Sequence, residues 1–344
     1  MHAAAMFQRG VNIGEQQSFD PKPLVSVIIP CFNHSKFLDQ AIESALNQTW
    51  QPLEVIVVDD GSTDDTPAVI ASYPVVKSLR QENQGLSAAR NTGWRASRGR
   101  YVLFLDADDF LSPTALEMGV REITAHPEYA FVTGDYRQVN HEGNLLGESN
   151  FPRDVSEPYL TLLRKNYIMN PAMVLYRREV LESFGGFDPK LRATQDYDLY
   201  LKIARQFPIG HFRGLMVLYR RYENSMTSNA ELMMIEIIEV MTRQQAHLGD
   251  DPRRRAAYRE GLRDFCGNSC RAFLIQSFKR LTRPGYRRKG IEGIGFFLSN
   301  PIWLWRAFWN KYFLLKLVEM LPPFASQWLI AQRSKRLQRV LRGQ

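Results

Sequence analysis

The sequence predicts an α/β protein: a mostly parallel sheet with helices on both faces, followed by a helical C-terminal region. Three observations lead to this prediction. Nearly continuous apolar runs of strand length alternate with helical stripes in the N-terminal part, which is typical of parallel strands buried on both faces. Acidic residues follow directly after two of those runs. Beyond residue 230 the pattern becomes helical and basic.

The N-terminal part of the chain contains four apolar runs separated by helical stripes. In the first stripe, Phe37, Leu38, Ala41 and Ile42 recur with the spacing of one helix face. The predicted strands are 24–29, 54–58, 75–79 and 101–105. The predicted helices between them are 35–48, 65–72 and 86–97. Strands and helices that alternate in this way indicate crossover connections and a parallel sheet.

The second half of the chain has a looser pattern. Its predicted helices are 113–125, 159–166, 178–184 and 195–205. Its predicted strands are 129–134, 173–176 and 215–219. From residue 231 onward the pattern is almost entirely helical. We therefore expect a flexible leader over 1–22, an α/β domain over 23–230 and a basic helical region over 231–344.

The charge is unevenly distributed along the chain. The net charge is +8, yet residues 251–344 hold 20 Lys and Arg against 5 Asp and Glu, while residues 1–250 hold 24 against 31. A strongly basic segment on an acidic body suggests an anionic partner surface. Residues 301–336 combine aromatic rings with spaced cations, which is typical of a helix lying on anionic lipid. The alternative is an amphipathic helix packed on the main domain, and the absence of a recognisable nucleic-acid module disfavours nucleic acid.

Cysteine usage and hydropathy predict the compartment. The chain has three cysteines, an odd number that fits a reducing environment rather than a disulfide framework. The N-terminal residues show neither the basic nor the long apolar part of a signal peptide. No uncharged apolar run reaches the roughly 18 residues that a membrane-spanning helix needs. We expect a cytoplasmic protein that is peripheral on the inner face of the cytoplasmic membrane.

Three carboxylates follow the predicted strand 101–105 directly. Asp106, Asp108 and Asp109 stand at its carboxyl end, where open α/β sheets bind their ligands. Clustered carboxylates repel one another unless a cation lies between them, and Mg²⁺ or Mn²⁺ bound by one or two carboxylates usually completes its shell with substrate phosphates. The spacing predicts a metal site at Asp106 and Asp108. The alternative is a solvated acidic turn that precedes the next helix.

The residues that follow three of the strands are expected to converge at one edge of the sheet. Pro30 follows the first strand and Asp60 the second, while Asp106 and Asp108 follow the fourth. Asp60 suits a hydrogen bond to a base or ribose, and Arg90 suits a diphosphate or the acidic cluster itself. The glycine motifs of dinucleotide-binding dehydrogenases and P-loop NTPases are absent, which argues against both classes.

Several ordered motifs resemble one known family. They are 24–33, 57–64, 85–93, 104–109, 170–178, 185–188 and 195–199. Together they are similar to the nucleotide-sugar half of an inverting family 2 glycosyltransferase with the GT-A fold, over residues 24–230. The resemblance implies a donor made of a sugar and a nucleoside diphosphate, with a UDP-sugar favoured. It also implies an acceptor that is a saccharide or a lipid-linked saccharide.

The resemblance also implies roles for individual residues. Asp196 corresponds to the catalytic base, and Asp106 and Asp108 correspond to the D-x-D metal site for Mn²⁺ or Mg²⁺. The residues implied in substrate binding are Pro30 and Asp60 at the base, Arg90 beside them, Asp106 at the donor, and Arg220 and Ser225 at the diphosphate. The implied reaction is a single displacement that transfers a hexosyl or N-acetylhexosaminyl group with inversion, in the synthesis of cell-surface polysaccharide or glycolipid.

Two departures from the family pattern concern the site. Gln195 stands where the family usually has Glu, so a like charge that could raise the pKa of Asp196 is lost. Tyr222 stands where the family has a His that can approach the metal or phosphate, and His211 is a possible substitute. Two other functions stay open at this point: a sugar-nucleotide pyrophosphorylase, and a pseudoenzyme that binds carbohydrate without catalysis.

Overall fold

The four predicted N-terminal strands form one half of a mixed sheet. The computed structural model of the chain describes residues 22–148, 155–222, 229–283 and 285–299. Within these residues the sheet has nine strands. They are β1 (Val25–Cys31), β2 (Leu53–Asp59), β3 (Lys77–Arg80), β4 (Tyr101–Phe104), β5 (Phe110–Leu111), β6 (Phe131–Val139), β7 (Leu145–Glu148), β8 (Val174–Arg177) and β9 (Gly210–Arg220).

The helices of the described residues alternate with these strands and then continue without them. They are α1 (Ser35–Leu46), α2 (Thr66–Ala71), α3 (Leu86–Ala96), α4 (Ala115–Ala125), α5 (Pro158–Arg164), α6 (Arg178–Phe184), α7 (Gln195–Ala204), α8 (Ala230–Gln245), α9 (Pro252–Thr282) and α10 (Arg287–Ser299). A single 3₁₀ turn, Pro171–Met173, precedes β8.

The order of strands in the sheet is β3-β2-β1-β4-β8-β6-β9-β5, with β7 paired to β6. The first four strands are mutually parallel. Beyond them β8 is antiparallel to both β4 and β6, whereas β6 and β9 are parallel. The predicted α/β class, with its parallel strands, flanking helices and helical C-terminal region, is confirmed. The carboxyl ends of β1, β2 and β4 lie at one edge, as the sequence predicts.

Burial explains why the apolar runs form the centre of the sheet. β1 and β4 are buried along their whole length, and β2 is buried over its last five residues. The stripe of α1 buries Leu38, Ala41 and Ile42. α3 packs so closely on the sheet that a Cβ at Gly93 would collide with the side chain of Ile28. This close approach fixes α3, which carries Arg90, against the strands that carry the acidic residues.

Strands β5, β6 and β9 differ most clearly from the sequence-based prediction, and β7 was not predicted. β6 extends to Val139 and β9 begins at Gly210, because the two pair with each other nearly along their full lengths, through register shifts near Asp135. β5 has only two residues and exists through its antiparallel pairing with Leu218 and Val217 of β9. A pattern that depends on a distant partner strand is not visible in a local window.

The described residues form two compact units. One comprises the described residues up to 222 together with 242–258, and the other comprises 229–241 together with the described residues from 259 on. The second unit has its own apolar cluster of Met234, Cys270, Phe273, Leu274 and Phe297. None of the described helices combines the length and low charge that crossing a bilayer requires. The leader 1–21, Ser225 and the aromatic and basic segment 301–336 lie outside the described residues.

Candidate active site

Pro30 and Asp60 lie next to each other at the ends of β1 and β2. Pro30 is buried and pairs with Val58 across the two strands. The amide of Asp60 donates to the carbonyl oxygen of Cys31 at 2.8 Å, which closes the two strand ends together. The structure therefore brings together the two residues predicted to line a base pocket.

The carboxylate of Asp60 already holds the loop after β3. Its Oδ1 accepts from Gln81 Nε2 at 2.7 Å and from the amide of Gln84 at 2.9 Å, while its Oδ2 accepts from the amide of Gly85 at 2.8 Å. Gly85 has φ +89°, a conformation that favours glycine. Asp60 thus shapes the loop from which α3 begins, and its contact with a base stays a prediction.

Arg90 lies on α3 and points at the acidic residues after β4. It is about 1% exposed, and its Nη2 donates to Asp106 Oδ1 at 2.6 Å. Its guanidinium lies 5.3 Å from the centre of the Phe187 ring. Asn91 holds the backbone of Phe187 through two hydrogen bonds. Nε and Nη1 of Arg90 have no hydrogen-bond partner among the described residues.

Asp106 and Asp108 place their carboxylates close together. Burial raises the pKa of Asp108, and the charge of Asp106 raises it further. Tyr222 donates its phenol proton to Asp108 Oδ2 at 2.7 Å. Because Arg90 contacts only Oδ1 of Asp106 and Tyr222 contacts only Oδ2 of Asp108, each carboxylate keeps one oxygen that accepts no hydrogen bond from another described residue.

Asp109 faces away from these two residues and into the fold. It is about 1% exposed and accepts from Asn170 Nδ2 at 2.5 Å and from the amide of Arg220 at 2.7 Å. Burial raises the pKa of Asp109 well above its usual range, and the charges of Asp108 and Asp106 add to the effect. Asp109 therefore joins the loop after β4 to the 3₁₀ turn and to β9.

Arg220 supports the acidic loop from behind. Its Nε donates to the carbonyl oxygen of Asp108 at 2.9 Å, and its Nη1 donates to the carbonyl oxygens of Asn140 and His141. Its Nη2 donates to Gln40 Oε1 at 2.5 Å. All three guanidinium nitrogens are thus engaged inside the protein. The prediction that Arg220 binds a diphosphate stays a prediction, and the structure adds a scaffolding role that the sequence did not suggest.

Asp196 lies in the first turn of α7, near Arg90. Burial raises its pKa, the nearby Arg90 charge and the amide of Tyr197 lower it, and the charge of Asp106 raises it, with a net increase. The loss of a charged neighbour at Gln195 therefore does not leave Asp196 with an ordinary pKa, because burial supplies the increase. The amide of Tyr197 donates to Asp196 Oδ1 at 2.7 Å. A carboxylate with a raised pKa near a cluster of charged groups is suited to accept a proton.

Asp198, the nearest alternative base on α7, is committed to ion pairs. It is about 1% exposed, with Lys202 Nζ at 2.5 Å from its Oδ2 and Arg243 Nη1 at 3.3 Å from its Oδ1. Two cationic partners inside the fold favour a structural role for this carboxylate.

The donor set at Asp106 and Asp108 fits a divalent cation. Two carboxylates with one open oxygen each are hard ligands of the kind that Mg²⁺ and Mn²⁺ take alongside substrate phosphates. Within the described parts of the chain, no group of three or more His, Cys, Asp or Glu side chains is arranged to hold a metal alone. A two-carboxylate site therefore needs further oxygens from water or from a substrate.

The sequence-based prediction was least complete for the contacts of Tyr222 and of the histidines. His211 does not reach the acidic loop: it lies near Asp135, and burial lowers its pKa to about 4. His34, from the loop after β1, instead lies with Nε2 at 3.1 Å from the phenol oxygen of Tyr222. Asn170 was recognised only as part of a motif, and its bond to Asp109 now explains that motif.

Comparisons with known proteins agree with this geometry. The family model described as glycosyl transferase family 2 matches residues 26–185. The uncharacterized glycosyltransferase RP339 of Rickettsia prowazekii is 30% identical over 223 residues, which are 63% of this chain and 70% of that protein. The chain belongs to glycosyl transferase family 2. The predicted family is thereby confirmed.

Two other relatives of this family 2 glycosyltransferase are much longer polysaccharide synthases. A chondroitin synthase of Escherichia coli is 33% identical over 235 residues, covering 66% of this chain and 33% of that protein. A hyaluronan synthase of Pasteurella multocida is 31% identical over 213 residues, covering 60% of this chain and 21% of that protein. The chain thus spans a third or less of the length of these relatives.

Solved structures with low sequence identity share the fold. Residues 1–349 of TarS of S. aureus, in complex with UDP, superpose with a TM-score of 0.54 at 20% identity, covering 79% of this chain and 87% of that one. The mannosyltransferase PcManGT of Pyrobaculum calidifontis, in complex with GDP-Man and Mn²⁺, gives 0.55 at 18% identity, covering 91% and 90%. The GT-A fold of the family 2 enzymes is therefore confirmed for this chain.

Proposed function

We propose that this family 2 glycosyltransferase moves a sugar from a nucleoside diphosphate, with UDP the favoured nucleotide, to an acceptor hydroxyl with inversion at the anomeric carbon. The observation that carries the proposal is the meeting of Asp106, Asp108, Arg90 and Asp196 at one edge of the sheet. Two neighbouring carboxylates, the buried guanidinium of Arg90 and a third carboxylate with a raised pKa thus lie close to one another.

The part of the site formed by Asp106 and Asp108 would bind the donor. Asp106 and Asp108 would hold Mn²⁺ or Mg²⁺, which when bound neutralises the departing diphosphate. Arg90 orients Asp106 through its 2.6 Å contact. Support for a nucleotide-sugar donor comes from fold neighbours whose complexes contain UDP, UDP-GlcNAc and GDP-Man.

Asp196 would act on the acceptor. Its raised pKa makes it a stronger proton acceptor than an exposed carboxylate, and Arg90 and the amide of Tyr197 offset part of the increase that burial causes. As the acceptor oxygen attacks the anomeric carbon, its proton would pass to Asp196 while the bond to the diphosphate breaks. A single displacement of this kind inverts the anomeric centre and needs no nucleophile from the protein.

The acceptor is proposed to be a saccharide or a lipid-linked saccharide in polysaccharide or glycolipid synthesis. Relatives named chondroitin synthase and hyaluronan synthase support a growing polysaccharide.

We place the enzyme in the cytoplasm, on the inner face of the membrane, because residues 251–344 carry 15 more basic than acidic residues. Full-length protein should co-sediment with anionic vesicles, less so at high salt, whereas co-sedimentation with neither anionic nor neutral vesicles would refute this placement.

The reaction is tested by incubating the protein with a panel of nucleotide sugars, Mn²⁺ and saccharide acceptors. The proposal predicts release of nucleoside diphosphate together with a product of inverted anomeric configuration, read by nuclear magnetic resonance. Release of pyrophosphate would indicate a pyrophosphorylase. Donor binding without any release, across the whole panel of acceptors, would indicate a non-catalytic protein and would also overturn the proposal.

A further inference from the structure

Tyr222 and His34 form a hydrogen-bonded chain that ends on Asp108. The phenol of Tyr222, just beyond β9, lies 2.7 Å from Asp108 Oδ2. Nε2 of His34, just before α1, lies 3.1 Å from the same phenol oxygen. The two residues are 188 positions apart in the sequence, so the fold alone brings them together.

The direction of these hydrogen bonds follows from counting protons. A metal ligand must be ionised, so Asp108 can only accept, and the single phenol proton of Tyr222 points at Oδ2. The phenol oxygen is then left as the acceptor that faces Nε2 of His34. The other ring nitrogen, Nδ1, lies 3.0 Å from the carbonyl oxygen of Phe32, and this second contact fixes the plane of the imidazole.

The surrounding side chains hold this chain of groups in one position. The ring of Phe37 lies 5.9 Å from the ring of Tyr222, and the guanidinium of Arg220 lies 4.7 Å from the Phe37 ring. Arg220 also binds the backbone oxygen of Asp108. The side chain and the backbone of Asp108 are therefore both anchored to the end of β9.

The loop that carries His34 is anchored as well. Asn33 has φ +56°, a conformation that asparagine tolerates better than most residues. Its amide donates to Ser62 Oγ at 3.0 Å, and its side-chain oxygen accepts from the amide of Thr63 at 2.8 Å. On the other side of His34, the amide of Ser35 donates to the carboxylate of Asp64. His34 thus stands on a loop that is tied on both sides to the loop after β2.

We propose that Tyr222 and His34 are positioning residues for Asp108, resting on the cation site of the proposed function. The phenol fixes Oδ2, so that Oδ1 would be the oxygen that binds the cation, while His34 fixes the phenol. The imidazole that supports the cation site therefore comes from His34 in the loop after β1, and not from position 222, where this chain has a tyrosine. Groups that orient a metal ligand commonly change metal affinity by about 10- to 100-fold when they are removed.

The test measures Mn²⁺ affinity, with and without UDP, by electron paramagnetic resonance of the free ion. Tyr222→Phe removes only the hydroxyl and keeps the ring against Phe37, and we expect about 10-fold weaker Mn²⁺ binding. His34→Ala should weaken binding less. Because His34 acts through the phenol, adding His34→Ala to Tyr222→Phe should cause no further loss. Tyr73→Phe removes a phenol that bonds Asp39 on the surface and should leave the affinity unchanged.

Two outcomes would overturn this inference while leaving the cation site intact. One is wild-type Mn²⁺ affinity in Tyr222→Phe, provided that Asp108→Asn abolishes binding in the same assay. The other is full additivity of Tyr222→Phe and His34→Ala, which would mean that the two act separately. If wild-type protein binds no Mn²⁺, or Asp108→Asn binds it normally, the cation site of the proposed function fails, and with it the role given to Tyr222 and His34.

Discussion

Two groups of carboxylates at the same edge of the sheet have different surroundings. We call Asp59, Asp60 and Asp64 the β2 carboxylates. Asp60 accepts three hydrogen bonds, and Asp59 pairs with Arg80 at 3.1 Å and accepts from the amide of Ser62. Burial acts to raise the pKa of Asp64, but hydrogen bonds from Thr66 and Ser35 outweigh it and lower the pKa to about 2.

We call Asp106, Asp108 and Asp196 the central carboxylates. Each accepts one hydrogen bond from another residue: from Arg90, from Tyr222 and from the amide of Tyr197 respectively. The pKa values of Asp108 and Asp196 are raised, mainly by burial. The fold supplies the β2 carboxylates with several hydrogen bonds and ion pairs. It leaves each central carboxylate with an oxygen that accepts no hydrogen bond from another described residue.

This difference separates structure from function among residues of one type at one place. A buried carboxylate that is fully hydrogen-bonded stabilises the loops around it. A buried carboxylate with an open oxygen and a raised pKa costs stability unless a cation or a proton arrives, and such groups cluster at functional sites. The following predictions test whether the two groups divide in this way.

The largest effect is expected for Asp196→Asn. Removing the proposed general base should lower the transfer rate by about 10²-fold or more, with donor and Mn²⁺ binding nearly unchanged. In the wild-type protein, activity should fall as the pH drops through the raised pKa of Asp196, because the protonated carboxyl cannot accept a proton. Steady-state kinetics between pH 4 and 8, with donor affinity measured separately, checks both expectations.

Asp198→Asn, two residues along the same helix, is the matched control. It breaks a buried pairing with Lys202 and Arg243, so the free energy of unfolding should fall by about 3 kcal/mol. The transfer rate of the folded fraction should stay within a few-fold of wild type. If Asp198→Asn lost the rate and Asp196→Asn kept it, the base would be Asp198.

The next effect is on stability, at Asp60. In Asp60→Asn the new amide group must face one of the three donors that Asp60 now accepts from, which should cost about 1–3 kcal/mol of unfolding free energy. Asp108→Asn should cost nothing, because it removes a buried charge from beside Asp106. Urea unfolding of both variants in EDTA makes the comparison. Equal losses would mean that the two groups of carboxylates do not differ.

The smallest effect concerns the acid stability supplied by Asp64. Its lowered pKa adds stability that is fully present above pH 4 and is lost as the pH falls through about 2. Because Asp64 is partly exposed, solvent screening reduces this contribution to about 1 kcal/mol. Asp64→Asn should therefore lose less stability than wild type between pH 5 and 2.5. Urea unfolding at several pH values checks this expectation, with Asp65→Asn at the exposed neighbouring position measured in parallel.

Much of this fold follows from local pattern. The strands β1, β2 and β4 are continuous apolar runs because both faces of the sheet are covered, and such runs are visible without knowledge of any partner. β5 and the early start of β9 depend on pairing with each other and with β6, so no window of the sequence contains the signal.

The candidate site likewise has features that the sequence predicts and features that only the structure shows. The convergence of Asp60 with Asp106 and Asp108 follows from the geometry of a parallel sheet, and the role of Asp196 follows from the family resemblance. The contact of His34 with Tyr222 depends on how β9 ends beside the loop after β1, which nothing near either residue indicates. Similarly, Asp108 and Asp109 are adjacent and alike in the sequence, and only the structure shows that one faces the site and the other Asn170.

The most direct test of the cation site is calorimetry of UDP binding by wild type and Asp108→Asn, with Mn²⁺ and with EDTA. We predict that wild type binds UDP in Mn²⁺ but not in EDTA. Asp108→Asn should bind UDP in neither condition. The free energy of unfolding of that variant in EDTA should equal or exceed that of wild type, which would show that the variant is folded. Equal UDP binding by wild type in Mn²⁺ and in EDTA would contradict the assignment of Asp106 and Asp108 as the ligands of a divalent cation.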